Sequence, residues 1–346
     1  MSQADLILAN ARVLNTTRPP WHVRSLPSVV AIKGDKILAV GGKEVLNDCR
    51  GAMTRVVDCC HGALLPGFND SHCHIMAYAA SLLHLDVSPR VVSSIEEIKS
   101  VVKSRAGKLP PGEWITGSGY DEFNLREKRH PLRLDLDEAA PDHPVRLIHR
   151  TGYACILNSL ALKLMNITVN TAEPEDGYID RDRHGEPNGL LFGMKDYLDG
   201  KLEPELQKAG EIEKGLSLAN KKYLGWGITS LQDATVSNDL KRWFFFERIK
   251  NEGIQTSRIT FMPGYRNLTE FQSRGFKPGQ SADLPEKGGY QLRLGPVKII
   301  VNMTRGKLYP EQEELDSLAL GIHQAGFQLA LHSLEVETLE AELKAL

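Results

Sequence analysis

Short apolar runs bounded by glycine and aspartate dominate the beginning of the chain. Val29-Val30-Ala31-Ile32 and Ile37-Leu38-Ala39-Val40 enclose Lys33-Gly34-Asp35-Lys36, a spacing that predicts a hairpin. Leu6, Leu8, Val13 and Leu14 surround an Asn-Ala turn, and Arg55-Val56-Val57-Asp58 reads as a weaker strand. Residues 1–62 are therefore expected to form a small β-sheet appendage with its boundary near Gly62.

From residue 63 apolar strands alternate with amphipathic helices. Ser94-Ile95-Glu96-Glu97 has the form of a capping box, with Ile95, Ile98 and Val102 at helical spacing. Trp114 to Tyr120 reads as a strand opening into a glycine-containing loop, and Pro144 to Arg150 as another strand. Ala154 to Leu164 is expected to be a buried helix, and the dense charges of residues 180–187 a solvated hairpin. Helices are predicted over Leu206–Leu224, Arg242–Asn251 and Glu311–Ala325, with a further one from Val336. The strands between them are Ile228–Asp233, Arg258–Met262, Gly295–Val301 and Phe327–His332. Such alternation predicts an α/β fold with a parallel sheet. Polar residues recur at strand ends (His72 and His74, Asp233, Lys298, His332), and in a (β/α)8 barrel the site lies at the C-terminal ends of the strands.

The densest chemical signal is Leu64-Leu65-Pro66-Gly67-Phe68-Asn69-Asp70-Ser71-His72-Cys73-His74. In an extended strand His72 and His74 share a face and Cys73 takes the other. Two neutral imidazoles aimed at one spot make half of a metal site; surface histidines in a loop are the plainer alternative. His332, closing an apolar strand, could converge with the pair. Lys298 lies in a run apolar enough to be buried on both faces, where a bare ammonium costs several kcal/mol. A salt bridge, a deprotonated amine and a carbamate formed with CO2 all answer that cost. Gly117-x-Gly119 lacks the third glycine and helix start of a dinucleotide site.

Length and charge narrow the classes. At 346 residues the chain has room for two domains or a large one with an appendage. Lysine and arginine total 42 against 44 acidic residues, a net charge of −2 that offers no electrostatic case for nucleic acid or anionic membranes. No apolar run reads as a membrane span, and Met1 to Leu6 lacks the form of a signal peptide. Five cysteines without paired spacing argue for a reducing, cytoplasmic setting, with Cys59-Cys60 as small apolar fillers.

Taken together, the motifs resemble the amidohydrolase superfamily, and within it the amidohydrolase-3 branch. The resemblance rests on Leu65-Pro66-Gly67-Phe68-x-Asp70-Ser71-His72-x-His74 and Trp114-x-x-Gly117-x-Gly119-Tyr120-Asp121. It continues through Arg150-Thr151-Gly152, Asn158-Ser159-x-Ala161-Leu162, Gly185-Glu186-Pro187-x-Gly189-Leu190 and Gly227-Ile228-Thr229-Ser230-x-x-Asp233. Val297-Lys298 and Ala325-Gly326-Phe327-Gln328-x-Ala330-x-His332 complete it in family order.

The resemblance implies a metal-dependent hydrolase of non-peptide C–N bonds acting through a metal-activated water on a small amide-type substrate. It implies a (β/α)8 barrel, a small β-sandwich built from the chain's ends and an α/β insertion at about 85–205 within residues 63–346. It also makes His72, His74, Lys298 and His332 the ligands of one or two divalent ions, zinc above all, with Lys298 carbamylated and catalytic. Trp114, Tyr120, Asp121, His149 and Tyr153 are the expected substrate contacts, with a hydrogen-bonded His149 as the alternative. The family continues with a strand-six histidine and a strand-eight aspartate, whereas this chain stops at Leu346, after about five strands. An incomplete barrel, a fragment inactive alone, is the expectation that follows; a non-catalytic remnant and a small-ligand-binding barrel are the alternatives. Tyr153 stands where relatives carry histidine, and Asn302 where an acidic residue is expected. The only other partners expected are further copies of the same chain.

Overall fold

The computed structural model of the chain describes residues 2–14, 27–174, 177–194, 197–198, 210–282, 291–304 and 306–346. At the N-terminus β1 (Leu6–Ala9), β2 (Arg12–Val13), β3 (Val29–Lys33) and β4 (Lys36–Gly41) are followed by α1 (Lys43–Cys49), β5 (Arg55–Asp58) and β6 (Ala63–Leu64). The hairpin predicted around Lys33-Gly34-Asp35-Lys36 is β3–β4, turned by Gly34 at φ +58°. The four-stranded sheet runs β4-β3-β1-β5, and β2 pairs with β6 separately. Ile7, Ala9, Val29 and Ala31 pack from the sheet against Val45 and Cys49 of α1. Cys60 is exposed at φ +49°, so the Cys59-Cys60 pair is not the apolar filler the composition suggested. All five cysteines are free.

The next strand, β7 (Phe68–Cys73), carries the histidine motif and leads into α2 (Ile75–Ser81). After α2 the chain builds a separate six-stranded sheet. Its elements are β8 (Leu85–Asp86), α3 (Ile95–Ala106), β9 (Ile115–Tyr120), α4 (Arg133–Ala139), β10 (Val145–His149) and β11 (Ala154–Leu157). Then follow α5 (Ser159–Leu164), β12 (Tyr178–Arg181) and β13 (Pro187–Phe192). The order is β12-β13-β11-β10-β9-β8, parallel at β8–β9–β10 and antiparallel beyond. Two readings needed correction here. The buried helix expected over Ala154–Leu164 is a strand followed by a short helix, because Asn158 caps the turn between them: its Oδ1 accepts from the Ala161 and Val145 amides at 3.0 Å. The glycine loop expected after Trp114 is strand throughout, with Gly117 packed so closely on Leu147 that a side chain would collide.

The chain returns through α6 (Glu211–Gly225), where a helix was predicted over Leu206–Leu224; the residues before Gly210 in that span lie outside the described ones. It then alternates β14 (Ile228–Asp233), α7 (Leu240–Asn251), β15 (Arg258–Phe261), α8 (Leu268–Ser273) and β16 (Leu292–Leu294). The last elements are β17 (Val297–Thr304), β18 (Lys307–Tyr309), α9 (Gln312–Gln324), β19 (Leu329–Ser333) and α10 (Val336–Ala345). β7, β14, β15 and β16 are parallel neighbours, and β17 is parallel to β19. A bridge between Gly264 and Lys298 joins β17 to the segment after β15.

Parallel strands covered by helices bury apolar residues on both faces. Val297, Ile299 and Val301 are fully buried, and Trp243, Phe246, Phe261 and Phe271 form one packed aromatic group in the core beneath the helices. The insertion's two ends are held together: α2 packs on α6, and Gly215 lies so close to the Ala79 carbonyl that a Cβ there would sit 2.5 Å from its oxygen. No helix among the described residues is long and apolar enough to cross a membrane.

Candidate metal centre

β7 ends at Cys73, and His74 is the N-cap residue of α2. Cys73 sends its Sγ towards the Gln232 carbonyl of β14 at 3.4 Å, and burial raises its thiol pKa far above the ordinary value. The flanking histidines turn the other way, their ring centroids 5.5 Å apart. His332 of β19 stands 5.7 Å from His72, so three imidazoles from the first and last of these strands meet. Backbone and side-chain bonds hold them: Asp70 Oδ1 accepts from the His72 amide at 3.1 Å, and His74 Nδ1 is 3.1 Å from the Thr235 hydroxyl. A ring held at Nδ1 presents Nε2, the arrangement of a ligating histidine with its outer partner.

Lys298 is 1 % exposed. Its strand position differs from the expectation: it is the second residue of β17, not a C-terminal one. It nonetheless lies beyond the end of β15, because β17 is staggered so that the Lys298 amide donates to Pro263 at 2.8 Å. Gly264 permits the stagger, since a Cβ there would overlap the Val236 carbonyl oxygen. In the pairing with β19, Lys298 faces Ala330 and Ile300 faces His332, so Lys298 and His332 share a face two residues apart.

The carboxylates that act on the cluster are Asp70 and Asp233, which oppose the shift of His72, and Glu342, which opposes that of Lys298. Burial pushes the Lys298 amine down to about 8, with Glu342 of α10 the only carboxylate opposing the shift. Burial, then the charges of Lys298 and the neighbouring histidines, pushes His332 down to about 4. His72 falls below its ordinary value for the same two leading reasons. Asp233 does not join the donors: its Oδ2 accepts from the Ile75 amide at 2.8 Å, and its Oδ1 from the Thr235 amide and Asn238 Nδ2. It ties β14 to the start of α2, a positioning role. The arrangement suits a divalent cation in that three imidazoles converge, burial disfavours the protonated forms of His72 and His332, and the same burial loosens the hold of Lys298 on its proton.

The residues expected to touch substrate divide into separate places. Tyr120 is fully buried at the end of β9, its hydroxyl 3.1 Å from His130 Nδ1. Asp121 is buried and paired with Arg150 at 2.9 Å. His149 ends β10, more than nine-tenths buried, with Nε2 2.8 Å from Glu122 Oε2; burial lowers its pKa. Tyr153 is 45 % exposed and reaches this group through Phe192, whose ring touches both Tyr153 and His130. Trp114 stands apart: it precedes β9, about 20 Å of extended strand from Tyr120, and packs on the Leu157–Ile179 cluster. His130 and Glu122, central to this second group, were not singled out as site residues by sequence. Only the paired carboxylates after Tyr120 hinted at them.

A family model described as the amidohydrolase family matches residues 55–346. The chain is 27% identical over 349 residues to an N-substituted formamide deformylase of Arthrobacter pascens, covering 95% of this chain and 63% of that protein. It is 32% identical over 201 residues to the putative amidohydrolase YtcJ of Bacillus subtilis (strain 168), covering 58% of this chain and 37% of that one. The chain thus spans less than two thirds of the length of these relatives. Its fold is like that of an uncharacterized metal-dependent hydrolase from Pyrococcus furiosus, with a TM-score of 0.67 at 20% identity, covering 98% of this chain and 69% of the other. These neighbours place the chain among TIM-barrel-like α/β folds. A match that begins in β5 and runs through the parallel strands to the last residue makes the chain a member of the amidohydrolase family.

Proposed function

We propose that this chain carries the ligand-bearing portion of a metal-dependent amidohydrolase that cleaves a non-peptide, amide-type C–N bond. The observation that carries the reading is the meeting of His72, His74 and His332 beside buried Lys298. In this reading the parallel strands β7, β14, β15, β17 and β19 belong to a (β/α)8 barrel. His72, His74 and His332 hold a divalent ion, zinc by preference, and Lys298 completes the centre. When bound, such an ion polarises a carbonyl and brings the pKa of water to about 7.

The chain's own residues supply the rest. Thr235 orients the His74 ring, and Asp233 locks the strand end against α2. An amine pushed down to about 8 is partly neutral near physiological pH, and only a neutral amine can attack CO2. Its nitrogen forms the new N–C bond, one N–H proton passes to solvent, and the product is a carbamate anion. That anion would turn the buried cation into a negatively charged ligand. The likeness to an N-substituted formamide deformylase makes a small formamide-type amide the substrate class to try first.

A second reading, a non-catalytic relative, is favoured by Glu342, a buried carboxylate that interacts electrostatically with Lys298 and could hold it as a plain ammonium. Metal analysis of the purified protein after growth with zinc separates the two. Bound metal that disappears in His72→Ala/His74→Ala, with a carbamate carbon signal from isotopically labelled bicarbonate that disappears in Lys298→Ala, supports the enzyme. Metal-free protein with no such signal supports the remnant.

A further inference from the structure

The second histidine group lies in the six-stranded sheet and takes no part in the reading above. His149 is 7 % exposed, and its Nε2 stands 2.8 Å from Glu122 Oε2. Neither atom makes a hydrogen bond of acceptable geometry, although both are buried. The Thr151 amide donates to the other ring nitrogen, Nδ1, at 3.3 Å. His149 Nδ1 is held by the Thr151 hydroxyl at 2.8 Å. His130 repeats the pattern, with Nδ1 at 3.1 Å from the Tyr120 hydroxyl and Nε2 at 3.7 Å from Glu122 Oε1. A ligating histidine has one nitrogen fixed by a neighbour and the other aimed at the ion. In both rings Nδ1 is held by a neighbour and Nε2 lies near an oxygen of one carboxylate, at 2.8 Å for His149 and 3.7 Å for His130.

The spacing agrees. The His130 and His149 centroids are 5.9 Å apart, against 5.5 and 5.7 Å in the barrel cluster. Donor atoms of Asp121, Glu122 and His149 lie within 4.8 Å of one another, and His130 stands at the edge of that group, with Nε2 3.7 Å from Glu122 Oε1. Asp121 is already engaged by the Phe123 amide, Asn124 Nδ2 and Arg150 Nε, so it neutralises Arg150 and leaves Glu122 as the available carboxylate.

We propose that Glu122, His130 and His149 form a second divalent-metal site, within the six-stranded sheet and separate from the His72–His74–His332 centre. Two imidazoles and a carboxylate suit zinc, cobalt and similar borderline ions, whereas calcium and magnesium favour all-oxygen sets. The competing arrangement is a metal-free imidazole–carboxylate pair.

The test uses the whole chain carrying His72→Ala, His74→Ala and His332→Ala, titrated with zinc by calorimetry and with cobalt by visible absorption. One tightly bound equivalent should remain. It should vanish on adding Glu122→Gln or His149→Ala, and Thr151→Val should weaken it about 10–100-fold without changing the count. The site is overturned if the triple variant binds neither ion, or if its remaining equivalent survives His149→Ala. Should the triple variant not fold, Glu122→Gln in the otherwise unchanged chain must lower the stoichiometry by one equivalent; an unchanged stoichiometry overturns the site. Failure of the barrel centre alone looks different: the unchanged chain would then bind one equivalent that is sensitive to Glu122→Gln and indifferent to His72→Ala.

Discussion

The two histidine groups have nearly the same ring spacing and opposite electrostatic surroundings. Among the parallel strands, three imidazoles crowd a buried lysine; Asp70 and Asp233 act on His72, but Glu342, which opposes the charge of Lys298, is itself pushed towards its neutral form by burial. In the inserted sheet, two imidazoles share Glu122, with Asp121 balancing Arg150 close by. A group with its own counter-charge can persist without a ligand. In the first group burial, and the charge of Lys298 on His72 and His332, outweigh the carboxylates in reach, so a bound electron-pair acceptor would relieve it. The difference shows how similar geometry can sit in two settings, one built around a buried amine and the other around a buried carboxylate.

The largest effect should come from breaking the barrel group. On the proposed function, His72→Ala/His74→Ala should cut whatever amide turnover the protein carries about a thousandfold or more, since several kcal/mol of transition-state stabilisation would go with the ion. Circular dichroism should be unchanged; turnover within tenfold of the parent would remove these residues from the centre. Next, Lys298→Met in metal-free protein should raise stability by about 1–4 kcal/mol, because a buried charge is exchanged for a thioether of similar length. Urea unfolding measures this, and a loss of stability would show that the amine is well paired.

The pH dependence sharpens the contrast. His332 has a folded pKa of about 4 against an ordinary 6.5, so the unfolded chain binds the extra proton between those values. Its contribution to stability is therefore complete above pH 6.5 and is lost as the pH falls to about 4. Metal-free His332→Gln should unfold with a flatter acid limb over that window. His149→Gln should flatten it less, since Glu122 supports the imidazolium there. The smallest effects come from helix caps. Ser94 accepts the Glu97 amide at the start of α3, and Asp239 the Arg242 amide at the start of α7. Each replaced by alanine should cost about 1 kcal/mol. Hydrogen exchange should show the first confined to the inserted sheet and the second to the barrel strands.

Much of this was legible in the chain. The period-two alternation of His72-Cys73-His74 foretold that the two histidines share a side, here an exposed one, with Cys73 on the other, and the βα rhythm foretold the parallel strands. What escaped notice depends on contacts distant in sequence. Asn158 converts a helix-like run into strand, turn and helix by accepting from Val145 on a neighbouring strand, which no local pattern reveals. Lys298 could be read as a strand-end residue only because the stagger allowed by Gly264 is invisible in one dimension. His130 sits in a loop without periodicity, and only folding brings it to Glu122 and His149.

The tight packing of α2 on α6 has a consequence for how such a protein can change. The 85–192 sheet leaves and re-enters at two points that the barrel itself holds side by side, with Gly215 pressed on the Ala79 backbone. To the surrounding strands the excursion is equivalent to a short loop, whatever its length. Lengthening a loop whose ends are already fixed costs little entropy, about 0.6 kcal/mol per doubling. Changes of length within this sheet should therefore cost the strands that hold His72, His74 and Asp233 little.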